Sequence, residues 1–186
     1  MEIKERKLKG TFEITLKPIY DGRGFFMRTY DDKLLYEHGI TNIWVQENHS
    51  RSEKKGIIRG LHFQLPPFAE TKLIRCIKGG IMDVYVDLRL NSATFGHWDF
   101  IELNEDNKKM VLIPRGFAHG FCTLTEVSEV VYKVDNYYSK DNEKGIVWND
   151  KIINIQWPNI IPILSEKDKS NLTFDQFINI YKGIEL

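Results

Sequence analysis

The chain has 186 residues and a mass of 21.9 kDa, with 42% apolar and 12% aromatic residues. This length and composition are typical of a single folded domain over residues 1–186 and exclude a disordered chain. The 26 basic residues balance the 26 acidic ones, so the charge indicates neither a nucleic-acid partner nor an anionic membrane.

The N-terminal segment and the two cysteines bear on where the protein works. The first ten residues, MEIKERKLKG, lack the apolar core of a signal peptide, and no later run is long enough to cross a bilayer. Cys76 and Cys122 are isolated within strand-like runs, which fits reduced, buried thiols better than a disulfide or a metal site. We therefore expect a cytoplasmic protein.

Strand-like segments dominate the chain. They are short, rich in β-branched and aromatic residues, and separated by Gly, Pro, Asn and Asp. In chain order they are TFEITLKPIY, NIWVQENH, GIIRGLHFQ, TKLIRCIKG, GIMDVYVDLRL, HWDFIEL, KMVLIP, GFCTLTE and SEVVYKVDNYY. Because they follow one another without helical crossovers, they favour antiparallel pairing and hence a sandwich, jelly roll or barrel.

Two segments are predicted to be short helices. YDDKLLYEHG has aspartate at its start and Gly39 beyond its end, as a capped helix requires. NLTFDQFINIYKG, near the C-terminus, has Gly183 as its stop signal. The residues that this second helix places on one apolar face are Phe174, Phe177, Ile178 and Tyr181.

Alternation within the strands separates their two faces. From Ile81 to Leu88, it sets Met82, Val84, Val86 and Leu88 against Ile81, Asp83, Tyr85 and Asp87. In RGLHFQ, it sets Arg59, Leu61 and Phe63 against Gly60, His62 and Gln64. The second of these patterns is unusual, because one strand face then carries glycine, histidine and glutamine.

Polar residues on other strands extend this pattern. Lys72 shares a face with Ile74 and Cys76, and Tyr132 shares one with Val130 and Val134, while the loop IPRGFAHGF delivers His119 to the start of a strand. If these faces line a barrel, the four residues that converge are His62, Lys72, His119 and Tyr132. A base, a cation, a second imidazole and a phenol suit proton transfer next to a carbonyl. Taken singly, each is more often a structural or solvent-facing residue than a catalytic one.

A metal site is the main chemical alternative. PRGFAH, ending at His119, has the Pro-x-Gly-x-x-His form of the second motif of metal-binding cupins, which are also antiparallel β-barrels. The first motif of those proteins needs two histidines flanking one residue, but Gln64 stands two residues after His62, and Glu70 lies beyond two prolines. Two histidines without a third firm ligand make a poor site. The pattern favours a cupin scaffold without a metal or other cofactor.

Eight segments from about Tyr20 to Asp168 resemble a known family in their order and spacing. They are DGRGFFMRTY, VQENHSRS, GIIRGLHFQLPPFAETKLIRC, DVYVDLRLNSATFGHW, LNEDNKKMVLIPRGFAHGF, YKVDNYYSKDNEKGIVWND, IQWP and LSEKD. This set is similar to the dTDP-4-dehydrorhamnose 3,5-epimerases. The resemblance implies an all-β, cupin-type jelly-roll β-barrel or sandwich with a few short peripheral helices, one of them near the C-terminus. It also implies a metal-free homodimer acting on dTDP-4-dehydro-6-deoxyglucose, whose 4-keto group acidifies the C3 and C5 protons.

The resemblance also implies roles for four catalytic residues. His62 matches the family's base, and Asp168 matches the carboxylate that orients and charges it. Tyr132 matches the proton donor on the opposite face of the sugar ring. Lys72 matches the residue near the keto oxygen, where an ammonium group stabilises an enolate.

Further matches imply contacts with the rest of the substrate. Arg23 and Arg59 match groups that hold the diphosphate, and a guanidinium suits this because its fork grips two oxygens at once. His119 matches a second imidazole in the pocket. The remaining matches are Gln46, Asn48, Glu143 and Lys167, with Phe26 and Tyr138 as aromatics near the thymine. Several of these lie in the N-terminal region, which in the family lies across the dimer interface.

One position departs from the family pattern. Arg28 stands where the family usually has an acidic residue at the nucleotide end. A 3-epimerase acting on a related 4-keto-6-deoxy sugar nucleotide therefore remains an alternative, although Tyr132 favours inversion at both carbons. The sequence also leaves open a non-catalytic sugar-nucleotide-binding cupin and a metal-dependent cupin oxygenase or isomerase. The metal-dependent enzyme would use His62, Gln64, Glu70 and His119.

Overall fold

The computed structural model describes residues 1–186. Its strands are β1 (Glu2–Glu5), β2 (Phe12–Thr15), β3 (Ile19–Asp21), β4 (Gly24–Phe26), β5 (Gln46–Ser52), β6 (Ile58–Gln64), β7 (Lys72–Lys78), β8 (Gly80–Asp87), β9 (Trp98–Asn104), β10 (Lys109–Ile113), β11 (Phe117–Thr123), β12 (Ser128–Val134) and β13 (Glu143–Gly145). Its helices are α1 (Asp32–Tyr36), α2 (Glu166–Lys169) and α3 (Phe174–Tyr181). None of the helices is long and apolar enough to cross a membrane.

The strands form two antiparallel sheets and a separate hairpin. The six-stranded sheet has the order β1-β2-β10-β7-β12-β5, the five-stranded sheet has the order β13-β6-β11-β8-β9, and β3 pairs only with β4. Neither sheet closes on itself. The all-β jelly roll with short peripheral helices is therefore confirmed, in the form of a sandwich.

Three apolar clusters fill the spaces around the sheets. The cluster between them includes Ile74 of β7 and Tyr85 of β8, both fully buried. A second cluster, outside the five-stranded sheet, packs Phe177 of α3 against β6, β8 and β11. A third, outside the six-stranded sheet, packs Leu35 of α1 against β2, β7 and β10. The alternation predicted for β8 is confirmed, because Val84 faces the outer cluster and Tyr85 the inner one.

The two predicted helices form, with one difference at a terminus. The Asp31 side chain caps α1 by accepting a hydrogen bond from the Leu34 N–H, and Thr173 begins α3 in a capping box. The predicted apolar face of α3 packs on the outer cluster. The chain leaves α3 at Lys182, with a left-handed φ of 63°, one residue before the predicted stop. Gly183 is still needed, because a Cβ there would lie 2.8 Å from the Leu90 Cα.

Some boundaries differ from the sequence prediction. His119 is the third residue of β11, which begins at Phe117 and not at Gly120. The helix α2 and the short strand β13 were not predicted, because four and three residues are too few to show a periodicity. Cys76 and Cys122 are both buried and free, as expected.

A β-bulge in β6 changes which side chains share a face. His62 pairs with His119 and Arg59 pairs with Phe121, so two residues of β6 lie opposite one residue of β11. Because of this extra residue, Arg59 and His62 lie on the same face of the sheet although they are three positions apart. Arg59 therefore lines the same cavity as His62, and its predicted place on the face of Leu61 is wrong.

Glycine makes this bulge possible. Gly60 has a φ of +113°, and a Cβ there would lie 2.6 Å from the His119 carbonyl oxygen and 2.7 Å from the Gly120 Cα. Gly60→Ala is expected to lower the free energy of unfolding by about 2–4 kcal/mol through backbone strain and overpacking. Urea denaturation measures this loss. Gly22→Ala is the control, because nothing lies within 4 Å of a Cβ there, and equal stability of the two variants would contradict the prediction.

Candidate active site

A cavity of about 450 Å³ opens between the two sheets. Strands β6 and β11 of the five-stranded sheet supply one wall, and β7 and β12 of the six-stranded sheet supply the other. The predicted site residues that line it are Arg59, His62, Lys72, His119, Tyr132, Lys167 and Asp168. The convergence expected from strand alternation is therefore present in the folded chain.

The imidazole of His62 is bonded to a buried carboxylate. Its Nε2 lies 2.6 Å from Oδ1 of Asp168, which stands on α2. Burial raises the pKa of Asp168, but hydrogen bonds from His62 and Ser165 outweigh it, so the net pKa lies below the usual range. The carboxylate is therefore charged near neutral pH, and the ring nitrogen facing it carries the proton. This leaves the lone pair on Nδ1 available to act as a base.

A second histidine–carboxylate pair lies beside the first. Nε2 of His119 lies 2.9 Å from Oδ2 of Asp83, which is fully buried on β8. Burial raises the pKa of Asp83, opposed by His119 and by the charge of Lys72. Sequence reasoning did not include Asp83 among the site residues. The available signal was an aspartate between Ile81 and Tyr85 on one face of a strand that is apolar on its other face.

The ammonium group of Lys72 is held by a neighbouring carboxylate. Its Nζ lies 3.1 Å from Oε1 of Glu70, and both side chains are 12% exposed. A lysine ammonium has three N–H donors, so this contact leaves others for a ligand in the cavity.

Gln64 and Glu70, two of the four residues considered as metal ligands, already bond to other groups of the protein. Nε2 of Gln64 donates to Glu70 and to the carbonyls of Phe68 and Tyr137, while its Oε1 accepts from the Ser139 N–H at 2.6 Å. Glu70 in turn holds Lys72. Because ligation would break these bonds, Gln64 and Glu70 do not fit the ligand set of a metal-dependent cupin.

Tyr132 lies on the opposite wall from His62. It stands on β12, pairs with Ile74 and Asn48 on either side, and is partly buried against the inner apolar cluster. His62 comes from the other sheet. A ligand between the sheets is therefore flanked by an imidazole on one side and a phenol on the other.

A smaller cavity of about 150 Å³ adjoins the first and shares His62, Lys72 and Tyr132 with it. The predicted contacts that line it are Gln46, Asn48, Tyr138 and Glu143. The Tyr138 hydroxyl donates to Oε2 of Glu143 at 2.8 Å, and Lys167 pairs with the same oxygen. Burial raises the pKa of Glu143, but these two contacts lower it by more, so the net pKa lies below its usual value.

Three predicted contacts lie outside both cavities. Arg23 and Phe26 belong to the exposed β3–β4 hairpin, and Arg28 follows it. Arg23 pairs with Asp21 at 2.6 Å, and Arg28 pairs with Asp31 at 3.0 Å. Within one chain, these residues do not meet the cavity that His62 lines.

Comparisons with known proteins identify a family for the chain. The sequence model of the dTDP-4-dehydrorhamnose 3,5-epimerase family matches residues 5–176. The dTDP-4-dehydrorhamnose 3,5-epimerase of Shigella flexneri is 50% identical over 162 residues, which cover 85% of this chain and 89% of that protein.

Solved structures give the same result. The fold is similar to the dTDP-4-dehydrorhamnose 3,5-epimerase of Bacillus anthracis with TDP and PPi bound, with a TM-score of 0.90, 46% identity, and coverage of 92% of this chain and 98% of that one. It is also similar to the dTDP-6-deoxy-D-glucose-3,5-epimerase of Legionella pneumophila in complex with dTDP-4-keto-L-rhamnose, with a TM-score of 0.89, 37% identity, and coverage of 97% and 94%. This chain is a member of the dTDP-4-dehydrorhamnose 3,5-epimerase family, and so an isomerase.

Proposed function

We propose that this protein converts dTDP-4-dehydro-6-deoxy-D-glucose to dTDP-4-dehydro-L-rhamnose by inverting C3 and C5. The observation that carries the proposal is the placement of His62 and Tyr132 on opposite walls of one cavity. Inversion requires a proton to leave one face of the enolate and return on the other, and one fixed group cannot do both. The relatives in the same family are 3,5-epimerases, so the single-carbon reaction is not favoured.

His62 is the proposed base. Asp168 holds the Nε2–H of its ring at 2.6 Å, so the Nδ1 lone pair is the group that removes the proton next to the keto carbon. The charged carboxylate then stabilises the imidazolium that forms. His62 and Asp168 belong to the same chain, so the pair forms without a residue from a second subunit.

Lys72 is the proposed partner of the 4-keto oxygen. Proton removal moves negative charge onto this oxygen, and a partly buried ammonium stabilises it more strongly than water does. Glu70 fixes the ammonium on one side. His119, on the strand beside His62, is a further contact for the sugar.

The polar groups around the cavity are proposed to hold the rest of the nucleotide sugar. Arg59 lines the cavity through the β6 bulge and can grip the diphosphate with its forked N–H groups. The contacts proposed for the remaining parts of the substrate are Gln46, Asn48, Tyr138, Glu143 and Lys167.

Solvent deuterium incorporation tests the function. The wild-type protein, incubated with dTDP-4-dehydro-6-deoxyglucose in deuterated buffer, is expected to place deuterium at C3 and C5 and to give inverted product by NMR. Prior treatment with a chelator is the control, and it should leave the rate unchanged because Lys72 supplies the positive charge. Lack of exchange would reject the function, and exchange at C3 alone would indicate the single-carbon reaction.

A homodimer is proposed to complete the nucleotide end of the site. The β3–β4 hairpin exposes four large apolar residues to solvent, which is typical of a surface that another protein covers. These residues are Ile19, Tyr20, Phe25 and Phe26. Since Arg23, Phe26 and Arg28 do not reach the cavity of their own chain, we assign them to the cavity of a second copy.

Subunit complementation tests this assignment. Arg23→Ala and His62→Asn are each expected to be poorly active, but their mixed dimers contain one intact site. Statistical mixing should therefore restore about a quarter of wild-type activity if the dimer is twofold symmetric. The control mixes His62→Asn with Tyr132→Phe, whose residues line one cavity, and should restore nothing. Equal behaviour of the two mixtures would place Arg23 outside the partner's site.

A cytoplasmic location is proposed for the enzyme. The two buried cysteines are free thiols, which fits a reducing compartment.

A further inference from the structure

The hydroxyl of Ser165 makes two hydrogen bonds to one residue. Ser165 is the N-cap of α2, and its Oγ accepts from the backbone N–H of Asp168 at 3.1 Å. The same Oγ donates its proton to Oδ2 of Asp168 at 2.8 Å. The other carboxylate oxygen, Oδ1, bonds to Nε2 of His62. Each oxygen of Asp168 therefore has a partner of its own.

The backbone before Ser165 is also fixed to the site. Ile163 forms a parallel bridge with Ile57, next to β6. The Ile58 N–H donates to the Ile163 carbonyl at 2.9 Å, and the Ile163 N–H donates to the Gly56 carbonyl at 2.8 Å. The position of Ser165, two residues later, is thus tied to the strand that carries His62.

These contacts limit the rotation of the carboxylate. The terminal torsion of an aspartate has a broad energy minimum, so a carboxylate bonded at one oxygen can turn away from its partner. A second, charge-assisted hydrogen bond at the other oxygen holds its plane in place. The direction of the imidazole then follows, because a fixed carboxylate accepts only one orientation of the Nε2–H.

We propose that Ser165 is a positioning residue for the base, and that its hydroxyl fixes Asp168 so that Nδ1 of His62 faces the substrate. This rests on the proposed function, in which His62 removes the proton. No contact between Ser165 and the substrate is needed. Its effect therefore falls on kcat more than on KM.

Four variants separate the hydroxyl from the helix cap. Ser165→Ala loses both, whereas Ser165→Gly keeps most of the cap, since glycine is tolerated at an N-cap. Both are expected to lower kcat by about tenfold, or about 1.4 kcal/mol of barrier, with KM within about twofold of wild type. Ser165→Thr keeps a hydroxyl and a good cap, and should recover most of the lost rate. Thr173→Gly is the control, because Thr173 caps α3 away from the cavity.

The ring of His62 provides a readout that a purely structural role would not move. In protein labelled with ¹⁵N-histidine, the wild type should show the proton on Nε2, and Ser165→Gly should show a mixture of the two neutral tautomers. Thr173→Gly should leave kcat and the tautomer unchanged.

Three outcomes would decide against the proposal or against its premise. Wild-type kcat and tautomer in Ser165→Gly would overturn it. A slow Ser165→Ala beside a normal Ser165→Gly would also overturn it, because the cap alone would then matter. If the wild type itself exchanged no substrate protons, the proposed function would fail, while the tautomer measurement would still decide whether Ser165 orients His62.

Discussion

His62→Asn is expected to lower kcat for epimerisation by about 10²- to 10⁴-fold, the usual cost of losing a general base. Asparagine is polar and similar in shape, and its amide can still donate to Asp168, so the fold should be kept. It offers no basic nitrogen to remove a proton next to the keto carbon. Deuterium exchange at C3 and C5 measures the loss directly, and exchange at both carbons should fall together.

One contact of Asp168 does not depend on the residue at position 62. Ser165 donates to Oδ2 of Asp168, whereas His62 bonds to Oδ1, so His62→Asn should leave the Ser165 contact in place. His49→Asn is the matched control, because His49 is exposed and pairs with Glu129 away from the cavity. Near-normal exchange in His62→Asn would remove His62 from the mechanism.

Tyr132→Phe is expected to separate proton exchange from inversion. The substitution removes only the hydroxyl, and the ring can still pack on the inner apolar cluster. His62 remains on the opposite wall, so the substrate should still exchange its protons with solvent. Without the phenol, no donor is placed on the other face of the enolate, and inverted product should fall by about 10²-fold or more.

The two carbons should be followed separately by NMR in deuterated buffer. Loss of inversion at both centres would make Tyr132 the common proton donor. Tyr137→Phe is the control, because Tyr137 is exposed and lines neither cavity. Normal inversion at both centres in Tyr132→Phe would assign the donor role to another group, such as water.

Much of the site could be predicted from local patterns in the sequence. Alternation placed Lys72 and Tyr132 on inward faces of their strands, and both line the cavity. The capping signals around α1 and the apolar face of α3 also predicted these helices correctly. Such features depend on neighbouring residues only, and the period of two or 3.6 residues is visible in a short segment.

The contact between His62 and Asp168 was expected from the family resemblance and not from spacing. The two residues are 106 positions apart, and α2 has only four residues. The pairing depends on the Ile57–Ile163 bridge, which brings the segment before α2 to the start of β6. No local pattern contains this information.

The sequence by itself determined an all-β chain in which alternation assigns a histidine, a lysine and a tyrosine to defined strand faces. Alternation could not show that Arg59 shares a face with His62, because the bulge at Gly60 exists only through pairing with β11. The tertiary structure alone decided that Asp83 holds His119. Alternation depends only on the order of residues within one strand. A β-bulge, and a contact with a carboxylate on the neighbouring strand, depend on how two strands pair.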